Sequence, residues 1–468
     1  MRKKKNIILE EVLVENYAAE GKSLARRDGK VVFIEQVVPG DVVDVRLSKN
    51  KKDWAEGYPI QFRSYSAERV KPFCKHFGIC GGCQWQMLPY PKQLEYKQQQ
   101  VYDNLTRIGK ISLPEMRTIA GAPEDRFYRN KLEYTFSTKE YLPNGQFDRT
   151  DRDKNLHDVL GFHARGFFDK VVNIEECWLQ PEPNNAIRNA VRAFALERGF
   201  SFYDYREHRG LLRNLQLRIC TTGEVMVNVV FGEDHPGHRQ QIMDFILQNF
   251  SQITTLLYTI NLKKNDSLFD LEPVTASGKG FVIEQLEDFR FKIGPKSFFQ
   301  TNTRQAEKLY SITREFAELD GSQVLYDLYC GTGSIGIFCS RGARKIVGVE
   351  MIEAAINDAR ENALHNGITH SHFTSGDVID ICNDEFFAQQ GRPDVIITDP
   401  PRAGMHEKLV RKILDIEAPT VVYVSCNPAT QARDLALLDE KYAVTQVQPV
   451  DMFPHTHHIE NVVQLKRK

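Results

Sequence analysis

Hydrophobic and polar residues alternate in short runs over residues 6–65, near the amino terminus. Each run ends close to glycine, proline, aspartate or asparagine, and VVPGD at 37–41 supplies a turn. The runs are NIILEEVLVENYA, KVVFIEQVV, DVVDVRLSKN and DWAEGYPIQF. Several short strands in roughly 60 residues predict a small β-barrel, to which we assign residues 1–67.

A helical period follows a segment rich in cysteine and glycine. The stretch YPKQLEYKQQQVYDNLTRIGKI predicts a helix near 91–120. Its apolar residues close to one face are Leu94, Val101, Leu105 and Ile108. Alternation typical of strands returns in KLEYTFS and NLQLRICTTGEVMVNVVF. We assign residues 68–275 to a central α+β domain, whose helix we expect to pack on the domain that follows.

Strands alternate with helices from about residue 276, which predicts a parallel, doubly wound α/β sheet over 276–468. No apolar run approaches the ~20 residues that a membrane span needs. The start, MRKKKNIILEEV, is basic but has only three apolar residues before two glutamates. A secretory signal needs a longer apolar stretch, so we expect a cytoplasmic protein with no membrane partner.

The charge is distributed unevenly along the 468 residues, although the net charge is only −1. Residues 1–75 carry 16 Lys/Arg against 11 Asp/Glu, a net of +5, and residues 276–468 carry 21 against 26, a net of −5. The net positive charge of residues 1–75 suggests that this segment contacts a polyanion. An ordinary solvated surface explains the same counts equally well.

The nine cysteines are an odd number, and without an export signal they argue against a disulfide framework. Three of them form a C-x5-C-x2-C group, and a fourth lies much later: Cys74, Cys80, Cys83 and Cys177. Four thiolates can hold zinc or an iron–sulfur cluster. Zinc usually takes two close cysteine pairs, so this spacing favours a cubane cluster. Four unligated cysteines, or His76 as a replacement ligand, are the alternatives.

A glycine-rich turn lies in VLYDLYCGTGSIGIFCSRGARKIVGVE, between two predicted strands. Gly331, Gly333 and Gly336 let a ligand approach the backbone, and Glu350 ends the second strand, where a carboxylate can accept ribose hydroxyls. Asp327 precedes the turn and would repel a pyrophosphate while suiting a cationic ligand. The segment resembles that of the S-adenosylmethionine-dependent methyltransferases, which implies a methyl-donor cofactor; a dinucleotide is the alternative.

Four further motifs accompany this turn: GPKSFFQTN (294–302), DPPRAG (399–404), SCNPAT (425–430) and DMFPHTHHIENVV (451–463). Together they resemble the RNA uracil-5-methyltransferases, and the resemblance covers nearly the whole chain. It implies a Rossmann-like class I methyltransferase domain, S-adenosylmethionine as cofactor and a TRAM-like or OB-like RNA-binding barrel at the front. The positions matching the family's cofactor contacts are Gln300, Tyr329, Glu350, Asp377 and Asp399.

The chemistry of this family assigns roles to Cys426 and Glu460. Carbon 5 of uracil is a poor nucleophile, and a thiolate added to carbon 6 turns it into a nucleophilic enolate carbon. Cys426 would be that thiolate, and Glu460 would remove the carbon-5 proton so that the thiolate can leave. Arg402 is a candidate to neutralise the enolate or a phosphate. The histidines at 455, 457 and 458 are poorly spaced for zinc.

The same resemblance implies the partner. The cysteine pattern matches that of the ribosomal-RNA members of the family, where it binds a [4Fe–4S] cluster, so we expect 23S rRNA as the substrate and a monomeric enzyme. Transfer-RNA members are expected to be shorter and to lack the barrel and the cysteines. A tRNA uracil-5-methyltransferase, an amino-group methyltransferase using DPPR, and a non-catalytic RNA-binding factor are the alternatives. Phe73, Phe77 and Trp85 are candidates for base stacking or for packing around the cysteines.

Overall fold

The computed structural model describes residues 7–143 and 157–468, so the basic start of the chain and part of the assigned central domain lie outside the described residues. The first element is a six-stranded sheet with the strand order β1-β5-β6-β4-β3-β2. Its strands are β1 (Ile8–Leu13), β2 (Asn16–Tyr17), β3 (Ser23–Arg27), β4 (Lys30–Ile34), β5 (Val42–Asn50) and β6 (Trp54–Ser64). Valine, isoleucine and alanine side chains fill one core between these strands.

Strand β3 is one that the hydrophobic pattern did not reveal. Its sequence is SLARR, and its two arginines are exposed at one end. Ser23 and Ala25 are the residues that point into the core, and Ser23 Oγ donates to the carbonyl of Val37 at 2.8 Å. A small polar residue can occupy an inward position when a backbone acceptor lies beside it, and a hydrophobicity pattern does not register this.

The helix predicted near 91–120 is shorter than expected. It consists of α1 (Tyr90–Asp103) and one wider turn over Asn104–Ile108, and no helix continues to 120. A side chain at Gly109 would come within 2.6 Å of the carbonyl of Leu105 and 3.1 Å of that of Ala432. The chain therefore leaves the helix where it touches the carboxyl-terminal part of the molecule, and Val101 and Leu105 are buried in that core.

A seven-stranded mixed sheet forms the middle of the molecule, with the order β13-β12-β11-β10-β7-β8-β9. Helices α2 (Asn184–Glu197) and α3 (Pro236–Asn249) contribute side chains to its core. Its strands are β7 (Lys131–Ser137), β8 (Val159–His163), β9 (Val171–Asn173), β10 (Leu212–Ile219), β11 (Val225–Phe231), β12 (Thr255–Ile260) and β13 (Val274–Gly278). A hairpin of β14 (Val282–Leu286) and β15 (Phe289–Ile293) leads to the last sheet.

The last sheet has seven strands in the order β18-β17-β16-β19-β20-β22-β21. Strands β16 to β20 pair in parallel, and β22 inserts antiparallel between β20 and β21. The strands are β16 (Val324–Leu328), β17 (Lys345–Glu350), β18 (Ser371–Ser375), β19 (Val395–Thr398), β20 (Thr420–Ser425), β21 (Tyr442–Val450) and β22 (Glu460–Arg467). The strand order reverses between β16 and β19, and ligands bind at such a switch point in open α/β sheets.

Seven helices accompany this sheet in the part of the chain that the structure describes. They are α4 (Thr303–Ala317), α5 (Ser334–Phe338), α6 (Glu353–His365), α7 (Val378–Ile381), α8 (Asp384–Gln390), α9 (Glu407–Ile416) and α10 (Pro428–Leu438). None of the helices within residues 7–143 and 157–468 is long and apolar enough to cross a membrane.

Candidate functional site

The glycine turn leaves β16 at the switch point. Gly331 and Gly333 have φ values of +53° and +76°, a region that residues with a Cβ rarely adopt. Asp327 is only 1% exposed, and its Oδ2 accepts a hydrogen bond from the backbone N–H of Gly336 at 2.8 Å. The expectation that Asp327 faces a ligand is therefore wrong: its carboxyl group is buried beneath the turn and stabilises the turn through this hydrogen bond. Burial raises its pKa to about 7.

Four of the five candidate cofactor residues lie at the carboxyl ends of neighbouring strands. Tyr329 follows β16 with a φ of +62°, Glu350 ends β17, Asp377 caps α7 after β18, and Asp399 follows β19. The fifth, Gln300, is buried just before α4. Parallel strands bring their carboxyl ends to one edge of the sheet, so the four residues that follow or end these strands share that edge.

The carboxylate of Glu350 already has backbone partners at this edge. Its Oε2 accepts from the N–H of Gly331 at 3.2 Å and its Oε1 accepts from the N–H of Ile352 at 3.1 Å. These bonds fix the carboxylate beside the glycine turn, in the position where a ribose would lie. The glycine turn, where a ligand can approach the backbone, and the carboxylates, which can accept hydrogen bonds from ribose hydroxyls, therefore fit an adenosine-bearing ligand.

Cys426 and Glu460 lie next to each other although 34 positions separate them in the sequence. Cys426 follows β20, and the antiparallel register of β20 and β22 pairs Ser425 with Asn461. Cys426 directly follows Ser425 and Glu460 directly precedes Asn461, and the carboxylate of Glu460 is near enough to raise the pKa of the Cys426 thiol. Asn427 then caps α10 by accepting from the N–H of Ala429 at 3.1 Å, so the thiol lies between a strand end and a helix start.

Burial controls the ionisation of this group of residues. Burial, reinforced by the carboxylates of Glu460 and Asp399 and opposed by Arg402, raises the pKa of the Cys426 thiol to about 12. Glu460 is buried, and desolvation together with Asp399 raises its pKa well above the ordinary value. Desolvation also raises the pKa of Asp399 to about 7. Two carboxyl groups that repel each other in this way favour holding a proton between them.

The three histidines before Glu460 do not form a metal site. His455 Nδ1 lies 3.1 Å from Nε2 of Gln93, His457 Nδ1 lies 2.9 Å from Oε1 of Gln84, and His458 Nδ1 lies 3.3 Å from the guanidinium of Arg402. Each ring thus has its own partner. Burial lowers the pKa of His457 to about 4 and that of His458 to about 3, so both rings are neutral at physiological pH.

The loop 451–459, which joins β21 to β22, is held by residues that sequence reasoning missed. The buried ammonium of Lys97 on α1 donates to Asp451 Oδ1 at 2.6 Å, and Tyr90 donates to the other oxygen at 2.8 Å. Gln93 accepts from the N–H of His455 at 2.8 Å. The partners in these three bonds lie 354 to 362 positions apart in the chain, and no local pattern in the sequence marks them.

The cysteine-rich segment touches the same loop. The carbonyl of His455 accepts from the N–H groups of Gln84 at 2.8 Å and Trp85 at 3.0 Å, directly after Cys83. A cavity of about 430 Å³ is lined by all four predicted ligands together with Arg129, Lys131, Trp178, Thr301 and Thr456. The predicted ligands are Cys74, Cys80, Cys83 and Cys177. The cavity therefore reaches from the cysteines to the residues beside Gln300 and the loop 451–459.

The four thiols are free and share the cavity. Within residues 7–143 and 157–468, no group of three or more histidine, cysteine, aspartate or glutamate side chains is arranged to hold a metal ion. Burial, with a smaller contribution from the neighbouring thiols, raises the pKa of Cys80 and Cys83 to about 12.

Comparison with known proteins identifies close relatives. A profile of the family described as tRNA (Uracil-5-)-methyltransferase matches residues 278–468. A Bacteroides thetaiotaomicron protein described as an uncharacterized RNA methyltransferase is 53% identical over 452 residues, covering 96% of this chain and 99% of that protein. A Porphyromonas gingivalis protein with the same description is 47% identical over 460 residues, covering 97% and 99%.

One solved structure is similar over the whole chain. It is the Pyrococcus abyssi tRNA (uracil-54, C5)-methyltransferase in complex with S-adenosyl-L-homocysteine, with a TM-score of 0.75 and 27% sequence identity. The match covers 98% of this chain and 100% of that one. The expectation that transfer-RNA enzymes are shorter therefore does not hold for this relative, and chain length does not separate the two kinds of substrate.

Proposed function

The chain belongs to the RNA uracil-5-methyltransferase family, and we propose that it methylates carbon 5 of a uridine through a covalent adduct between Cys426 and carbon 6. The observation that carries this proposal is the proximity of Cys426 and Glu460, which directly adjoin the paired residues Ser425 and Asn461, at the edge where the glycine turn and Glu350 lie. This arrangement supports one nucleophile and one base beside one cofactor site. An amino-group methyltransferase needs neither of them.

The reaction proceeds in steps that these residues can perform. S-adenosylmethionine supplies the methyl group as an electrophilic sulfonium when it is bound. Sγ of Cys426, after its proton has left to solvent, adds to carbon 6, and the π electron pair of the carbon 5–carbon 6 bond moves toward the carbonyl at carbon 4 to give an enolate. Carbon 5 takes the methyl group as the bond from that group to the donor sulfur breaks, which leaves a neutral thioether. Glu460 then accepts the carbon-5 proton, and the double bond forms again as the sulfur–carbon 6 bond breaks.

The charges around the thiol explain why it would be more reactive in the assembled complex than in the free protein. Burial and two carboxyl groups hold Cys426 as a thiol in the free protein. A bound sulfonium adds a positive charge beside these groups, and a positive charge favours the thiolate and the ionised form of Glu460. The nucleophile and the base are therefore both activated when the methyl donor is present.

The test is covalent trapping by RNA that contains 5-fluorouridine. Fluorine cannot leave carbon 5 as a cation, so an enzyme with this mechanism should stop as a stable protein–RNA adduct after methyl transfer. We expect a shifted band on a denaturing gel that depends on S-adenosylmethionine and maps to Cys426 by mass spectrometry. Methyl transfer without an adduct would contradict the mechanism and favour an amino-group acceptor.

We propose a [4Fe–4S] cluster as the second prosthetic group, held by Cys74, Cys80, Cys83 and Cys177. All four line one cavity. Their spacing of C-x5-C-x2-C with a distant fourth cysteine favours a cubane cluster over zinc, which usually takes two close cysteine pairs. Four protein thiolates would leave no iron open, which favours a structural or RNA-positioning role.

The cluster is tested by its iron content and colour. Protein purified without oxygen should hold about four irons and absorb broadly in the visible range, and a variant with Cys80→Ala should lose both. Cys382→Ala is the matched control, because Cys382 is buried outside this group. Stoichiometric zinc, or no metal in anaerobic protein, would contradict the assignment.

We propose ribosomal RNA, specifically 23S rRNA, as the substrate, with the sheet of residues 8–64 acting as a TRAM-like RNA-binding barrel. The cysteine pattern and the net charge of +5 in residues 1–75 support this. Trp85 is 1% exposed and packs on Tyr17, so it cannot stack on a base, whereas Phe73 and Phe77 are half-buried. Transfer RNA is the second candidate, because the tRNA enzyme from Pyrococcus abyssi matches the full length of the chain.

The two substrates are separated by the same trapping reaction. Equal amounts of 5-fluorouridine-substituted 23S rRNA and tRNA compete for limiting enzyme, and each adduct is identified by sequencing its RNA. We expect the ribosomal adduct to dominate. Dominance of the tRNA adduct would transfer the assignment to tRNA and leave the chemical mechanism unchanged.

A further inference from the structure

The backbone of Arg402 is fixed to the segment that carries the nucleophile. Its carbonyl accepts a hydrogen bond from Nδ2 of Asn427 at 3.1 Å and a second from Oγ1 of Thr430 at 3.2 Å. Asn427 is the residue directly after Cys426, and Thr430 lies in the first turn of α10. These two bonds connect the loop after β19 to the loop after β20, so Arg402 and the thiol keep a constant relative position.

The side chain of Arg402 has a partner in the loop 451–459. One guanidinium nitrogen lies 3.3 Å from Nδ1 of His458. A guanidinium can only donate, so Nδ1 must accept, and the imidazole carries its proton on Nε2. The ring stays neutral because burial, His457 and Arg402 lower its pKa to about 3. His458 therefore orients the guanidinium without adding a second positive charge.

The groups that face Cys426 come from several elements. Glu460 begins β22, Asp399 follows β19, and Arg402 lies three residues further on. Tyr310 on α4 also interacts with Asp399 and Glu460. In the described part of the chain, Arg402 is the cation that offsets the two carboxyl groups at the thiol. The Arg402 side chain is exposed, so replacing it with an uncharged residue leaves no cavity in the core.

From this arrangement we propose that Arg402 is the cation that stabilises the thiolate of Cys426, and that His458 is the positioning residue that holds its guanidinium in place. The inference rests on the proposed function and adds a residue to it. When the S–H bond breaks, the proton leaves to solvent, which reaches the half-buried thiol, and the charge left on sulfur is offset by the guanidinium. The alternative role for an exposed arginine here is contact with an RNA phosphate.

The test measures the thiol without RNA or methyl donor. Iodoacetamide alkylates a thiolate by displacing iodide, and peptide mass spectrometry reports the reaction at Cys426 separately from the other cysteines. At fixed pH between 7 and 9 we expect Arg402→Met to slow alkylation of Cys426 roughly tenfold, because a smaller fraction of the thiol would be ionised. His458→Phe should slow it by a smaller factor, and Arg402→Lys should recover part of the rate. Arg411→Met, an exposed arginine on α9, is the matched control and should change nothing.

The opposite results are equally clear. Unchanged or faster alkylation in Arg402→Met, with melting temperature preserved, overturns the inference. If the same variant also binds RNA more weakly with a smaller salt dependence, Arg402 is a phosphate contact instead. Should Arg402→Met not fold, unchanged alkylation in His458→Phe overturns the positioning role and the inference with it. Failure of the wild-type protein to form the 5-fluorouridine adduct would overturn the proposed function independently, because alkylation does not require that chemistry.

Discussion

Replacing Cys426 with alanine should abolish methylation, with a loss of roughly 10⁴-fold or more in turnover. Without sulfur, nothing adds to carbon 6, and carbon 5 stays too weak a nucleophile to attack a sulfonium. No adduct should form with 5-fluorouridine RNA. Binding of RNA and of S-adenosylmethionine should be retained, because Cys426 lies at a strand end and is only half-buried. Methyl transfer is measured with a radiolabelled donor.

The control for Cys426→Ala is Cys382→Ala. Cys382 is a buried thiol of the same domain that directly follows α7 and is not among the groups that act on Cys426, so its replacement should leave methylation nearly intact. A Cys426→Ala protein that keeps substantial activity would contradict the adduct mechanism. Such a result would point to the amino-group alternative, in which DPPR at 399–402 acts on an exocyclic nitrogen.

Replacing Glu460 with glutamine should give the second large effect, a loss of roughly 10²- to 10⁴-fold in multiple turnover. The first methyl group should still be transferred, since addition and transfer need the thiolate and the donor. Release of the sulfur requires removal of the carbon-5 proton, and an amide cannot accept it. We therefore expect a methylated covalent adduct to accumulate on ordinary uridine RNA, visible on a denaturing gel without fluorine.

Glu440→Gln is the control for this variant. Glu440 is an exposed carboxylate that pairs with Arg411, and its replacement should neither slow turnover nor trap RNA. If Glu460→Gln turns over at a normal rate, another group removes the proton. Asp399 would be the next candidate, because its carboxylate acts on both Cys426 and Glu460. If no adduct appears and transfer itself is lost, Glu460 acts before the methyl step.

The sequence allowed the edge of the last sheet to be predicted well, because its signals are local. A run of strand formers that ends at Asn-Pro places Cys426 at a strand end, and glycines with an acidic residue one strand later place Glu350 beside the turn. These features depend on residues close together in the chain. The helix near 91–120 was predicted too long for the opposite reason: it ends at Ile108, where Gly109 meets Ala432, more than 300 positions away.

The sequence by itself determined which chemical groups are present and at which strand ends three of them lie: a thiol after β20 and carboxylates at the end of β17 and after β19. The hydrophobic period and the turn residues are sufficient to predict these strand ends, because a strand end depends on residues that are neighbours in the chain. Only the tertiary structure decided that Asp327 braces the glycine turn, that Lys97 and Gln93 hold the loop before Glu460, and that His458 orients Arg402. These contacts are individually short-ranged in space and distant in sequence. They arise when packing of the apolar core brings separate segments together, and no pattern within any one segment encodes them.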